Sequence, residues 1–62
     1  MDNKVRERRL KLHMSQEELA EKSGLSRQRI HEIETGKAEN ATLATLLAIA
    51  NALGTTVDKI FL

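Results

Sequence analysis

Apolar side chains recur along this chain at intervals of three and four residues. Val5, Arg9 and Leu12 stand at i, i+4 and i+7, with a charge in the middle of the stripe. Leu19 and Ala20 follow, then Ile30 and Ile33 three apart, then Leu43, Leu46, Ile49, Ala50 and Leu53, and finally Val57, Ile60 and Phe61. That spacing belongs to helices with one buried face, and no stretch reads as a strand. Five helices are predicted, over residues 3–12, 16–23, 27–34, 43–53 and 57–62. With short connections they make an all-α, compact five-helix domain spanning residues 1–62.

Polar residues at the helix boundaries sharpen these limits. Ser15 with Glu18 three residues on reads as a capping box that starts a helix at Gln16. Gly24 adopts a left-handed conformation at no Cβ penalty and closes that helix. Ser26 caps the next helix, Arg27 to Glu34, and helix, glycine turn, helix over residues 16–34 is the outline of a helix-turn-helix. Asp2 or Asn3 is expected to cap the first helix, Thr42 the fourth and Thr56 the last, and Gly36 and Gly54 to end the third and fourth. His13 stands where glycine or asparagine would be preferred, so an irregular or left-handed backbone is expected there, with Met14 turning into the core.

With the apolar face buried, the third helix presents Arg27, Gln28, His31 and Glu32 outward, long or planar groups of the type that reach base edges in a major groove. An ordinary helical hairpin with a solvated polar face fits the same pattern. Arg9 on an inward stripe needs a partner, for which Glu34 at the end of the third helix is the candidate; otherwise it snorkels to solvent. The segment TGKAEN after Glu34 is a loop in which Lys37 and Asn40 either meet a phosphate backbone or merely connect two helices.

Composition narrows the classes. Sixty-two residues allow one small domain that buries about 60% of its unfolded surface. There is no cysteine, hence no disulfide or thiolate metal site, and Phe61 is the sole aromatic residue, which argues against base-stacking readers of single strands. No apolar run approaches a membrane span and none resembles a signal peptide, so a cytoplasmic protein is expected. Net charge is only +1. Up to Lys37, however, nine basic residues face seven acidic ones, and after it Lys59 alone faces Glu39 and Asp58. Basic character therefore sits in the half that carries the helix-turn-helix.

Gln16, Ala20, Gly24, Ile30 and Ile33 in SQEELAEKSGLSRQRIHEIETGK resemble the helix-turn-helix of the Cro/C1-type (XRE) DNA-binding domains, the class of the lambda and 434 phage repressors. The likeness continues through TLATLLAIANALGTTVDKIF, so it covers essentially the whole chain and implies a lambda-repressor-like fold. It implies that Gln16 bonds a phosphate and braces the recognition helix, that Arg27, Gln28 and Glu32 read bases, and that His31 and Arg29 touch base or phosphate beside them. It also implies that Arg9 and Glu34 form a structural ion pair. His13 and Ala41 depart from the family's usual glycine and proline, and both touch local geometry only. Glu32 is the awkward position, since a carboxylate near DNA must accept from cytosine N4 or pair with Arg29 or Arg8.

The expected function is therefore a sequence-specific, double-stranded DNA-binding transcriptional regulator of bacterial, archaeal or phage origin, a repressor acting as a homodimer on a palindromic operator. Base readers are Arg27, Gln28, His31 and Glu32; phosphate contacts are Gln16, Arg29, Lys37 and Asn40. The apolar end Val57, Phe61, Leu62 is either the last piece of core or a self-association patch. The alternative is an antitoxin-like or adaptor module that binds a protein, a toxin or another regulator, supported by the acidic row Glu17, Glu18 and Glu21. Catalysis is not expected: His13 and His31 lack metal-ligand spacing, Glu32 and Glu34 point to different sides of a helix, and no metal or cofactor is implied.

Overall fold

The computed structural model describes residues 2–37 and 40–62. Positions 38 and 39 of the expected TGKAEN loop lie outside the described residues. The helices are α1 (Val5–Lys11), α2 (Gln16–Ser23), α3 (Arg27–Glu34), α4 (Leu43–Ala52) and α5 (Val57–Phe61), and the described residues contain no strand. α2 packs on α3 and α4, α4 on α5, and α1 bridges α3 and α5, within 25 × 22 × 18 Å.

The caps form as local chemistry dictates. The Ser15 hydroxyl accepts the Glu18 N–H at 3.0 Å and the Glu18 carboxylate accepts the Ser15 N–H at 3.2 Å, which closes the capping box. Ser26 accepts the Arg29 N–H at 3.0 Å and Thr42 the Thr45 N–H at 3.2 Å. Gly24 is left-handed at φ 75°, and a Cβ there would meet nothing within 4 Å, so glycine is required by conformation and not by space. The end of α3 is closed by Gly36 N–H to the Ile33 carbonyl (3.1 Å) and Lys37 N–H to the Glu32 carbonyl (2.9 Å), a Schellman pair that fixes where Lys37 emerges. His13 takes φ 54°, the left-handed value expected of it.

Four details differ from the sequence reading. α1 starts at Val5, not Asn3, because the Asn3 side chain is engaged twice: its Oδ1 accepts the Val5 N–H at 3.0 Å and its Nδ2 donates to the Ile33 carbonyl at 2.8 Å. Leu12 is 42% exposed, since α1 ends at Lys11 and the chain turns at His13, leaving Met14 to fill the core. Leu43 is 65% exposed at the start of α4, so of the expected set only Ile49, Ala50 and the following Leu53 are buried, with Leu46 half-buried. Thr56 occupies the N-cap of α5 but bonds no backbone N–H; its hydroxyl serves the Asp58 carboxylate, which it holds below its ordinary pKa.

Val5, Met14, Leu19, Ala20, Ile30, Ile33, Ile49, Ala50, Leu53, Ile60 and Phe61 form one core. Phe61 belongs to it, and Leu62 beyond is exposed.

Candidate nucleic-acid interface

One buried ion-pair network sets the relation of the first three helices. Arg9 Nε donates to Glu34 Oε2 at 2.6 Å and Nη2 donates to Oε1 at 3.1 Å, the two-pronged geometry in which guanidinium and carboxylate bind most strongly. The third nitrogen, Nη1, donates to the Met14 carbonyl at 2.7 Å. The two side chains are 9% and 3% exposed, so neither charge has water to fall back on. Gln16 Nε2 donates to Glu34 Oε1 at 3.2 Å, which ties the first residue of α2 to the last of α3.

Above this network lies an open polar cleft lined by Arg6, Arg9, Gln16, Arg27, His31, Glu34 and Thr35. A shallower depression beside it is lined by Gln16, Arg27, Gln28 and His31. The first turn of α3 thus brings Arg27 and Gln28 to one surface with Gln16, and His31 joins them one turn later. Arg27, Gln28 and His31 are exposed and Gln16 is half-buried. An Arg27 nitrogen lies 4.0 Å from Glu17, but with both side chains largely exposed the pair is screened and labile.

Arg29 and Glu32 line neither cleft. They lie 3.8 Å from each other as an i, i+3 pair on the flank of α3. Lys37 and Asn40 are exposed in the segment that follows α3.

Arg6 and Thr35, which the sequence reading passed over, share the cleft with Arg27 and His31. Their neighbours hold the clue: once Arg9 and Glu34 pair, Arg6 at i−3 on α1 and Thr35 directly after Glu34 come to the same side. Thr35 Oγ1 donates to the His31 carbonyl at 2.9 Å. Among the described residues no three His, Cys, Asp or Glu side chains converge as a metal site requires, and no helix is long and apolar enough to cross a membrane.

Residues 5–60 match the helix-turn-helix family. The chain is also similar to the control protein C.SmaI of Serratia marcescens, 50% identical over 48 residues, or 77% of this chain. The matched region spans 56% of that protein's length. No solved structure matches.

Proposed function

The chain belongs to the Cro/C1-type (XRE) helix-turn-helix family, and from that premise we propose that it is a DNA-binding transcription regulator, a repressor that acts as a cytoplasmic homodimer on a palindromic operator. The observation that carries this reading is the convergence of Gln16, Arg27, Gln28 and His31 on one open polar surface whose floor is the Arg9–Glu34–Gln16 network. The similarity to a protein named for control supports a regulatory role.

In this reading α3 enters the major groove with its first turn foremost. Arg27 donates to guanine O6 and N7 once it leaves Glu17, Gln28 pairs with adenine N6 and N7, and His31 reads the next position. Gln16, Lys37 and Asn40 bond phosphates and fix the register, joined by Arg6 from α1. Glu32 has a different role: its carboxylate holds Arg29 on the flank, where the guanidinium meets the backbone and the carboxylate is kept from the phosphates.

A molecule whose longest dimension is 25 Å covers a single half-site, so a second copy about 34 Å along the duplex gives the affinity that one α3 lacks. Leu43 and Leu47, four residues apart on one face of α4, are large apolar side chains left exposed on the C-terminal half, and the copies meet on that face.

A protein-binding module on the same fold is the competing reading, favoured by the exposed Glu17 and Glu21. Titration of random duplex at low and moderate salt separates the two. DNA binding predicts salt-sensitive association whose log–log slope flattens by about one unit in Lys37→Ala; no association at low salt supports the protein-binding module.

A further inference from the structure

α1 and the residue before it, Lys4, carry a second set of cations apart from the recognition surface. Arg6 and Arg9 line the cleft beside Arg27, whereas Lys4, Arg8 and Lys11, at i, i+4 and i+7, face α5 and the turn before it. With Lys59 of α5, Thr55 of the turn and Glu7 they enclose a separate cleft of about 280 Å³. Four cations therefore stand around one carboxylate. None of the four lies within ion-pair distance of a carboxylate among the described residues, where the closest charge pairs are Arg9–Glu34, Arg27–Glu17 and Arg29–Glu32.

The site is held by the fold. Arg8 is half-buried, and its Nε donates to the Leu53 carbonyl at 3.3 Å, which leaves the two terminal nitrogens free as a fork. The turn is pinned by the Thr55 N–H to the Ala50 carbonyl at 3.0 Å, and α1 is pinned to α5 by the Lys4 N–H to the Ile60 carbonyl at 2.8 Å. Glu7 offsets only part of this charge, and Lys59 also faces the neighbouring Asp58 carboxylate; the cations that remain in excess repel one another, and an anion that enters the cleft relieves that repulsion. The volume lies just below the range of drug-sized ligand sites, about 300–1,000 Å³, and the donors are a planar fork, three ammonium groups and a hydroxyl. That combination suits several phosphate oxygens on a short chain.

We propose that this cleft is a second anion site that takes a small polyphosphate, independent of the DNA-reading surface. Titration of the full chain with sodium diphosphate and triphosphate, followed by calorimetry and backbone amide shifts, tests it. The expected result is saturable one-to-one binding with shifts at residues 4–11 and 55–60. Lys11→Ala and Lys59→Ala, both at exposed positions, each weaken it about fivefold, R8K weakens it through loss of the fork, and Arg27→Ala leaves it unchanged. Absence of saturable binding overturns the proposal, as does binding that shifts α3 and disappears in Arg27→Ala. Shifts at Lys11 and Lys59 that arise only with random duplex DNA overturn it too, and assign these lysines to the DNA backbone.

Discussion

At the scale of single residues, Arg9 and Glu34 decide most. Removing one partner of a buried, hydrogen-bonded pair strands the other, so Glu34→Ala is expected to cost about 3–5 kcal/mol. A chain of this length holds only about 3–9 kcal/mol in total, and urea unfolding of the variant should begin with little or no native plateau; a loss below about 1 kcal/mol would refute the pair's structural role. Replacing both residues with apolar ones should restore much of the stability while loosening Gln16, whose amide donates to Glu34. His13 offers the opposite change. Its φ of 54° strains a side chain that has a Cβ, so His13→Gly is expected to gain about 0.5–1 kcal/mol after the added freedom of the unfolded chain is deducted. Thermal melts of the two proteins check the sign. Both residues were legible in the sequence: an arginine on an apolar stripe demands a partner, and a histidine after a helix end marks irregular backbone. The pairing of Glu32 with Arg29 was one of several options there, since only the fold shows which flank of α3 lies beside the Gln16 surface.

At the scale of elements, α3 is eight residues long, too short to persist alone, and exists through its cap and its packing. Ser26→Ala removes the acceptor of the Arg29 N–H and is expected to cost about 1 kcal/mol. Because Arg27 and Gln28 sit in that first turn, DNA affinity should fall with it; hydrogen exchange at residues 28–30 faster than at Ile33 would confirm local fraying, and unchanged exchange would refute it. The starts of α2, α3 and α4 were readable because each has a local side-chain device, Ser15 with Glu18, Ser26 and Thr42. The start of α1 was misplaced because Asn3 is governed by a contact thirty residues away, at the Ile33 carbonyl. Leu12 and Leu43 were misassigned to the core for a related reason. Periodicity shows which face of a helix is apolar, but not how far along the helix the neighbours reach.

At the scale of the whole molecule, one core of aliphatic residues and Phe61 supports two polar surfaces, and large apolar side chains remain outside at Leu10 and Leu12 around the end of α1 and at Leu43 and Leu47 on α4. If copies meet there, Leu47→Glu should shift sedimentation toward the monomer and weaken operator binding while leaving the melting temperature nearly unchanged; a wild-type monomer that protects a single asymmetric site would refute the dimer. Whether the first turn of α3 reads duplex DNA is decided by selecting bound sequences from a random duplex pool with the natural protein and with Arg27→Ala in parallel. The expected result is an inverted repeat with half-sites about one helical turn apart, and in Arg27→Ala the same repeat with preference lost at one base pair per half-site, at a cost of about 1–3 kcal/mol. No enriched sequence, or an enriched sequence identical in the two proteins, would contradict it.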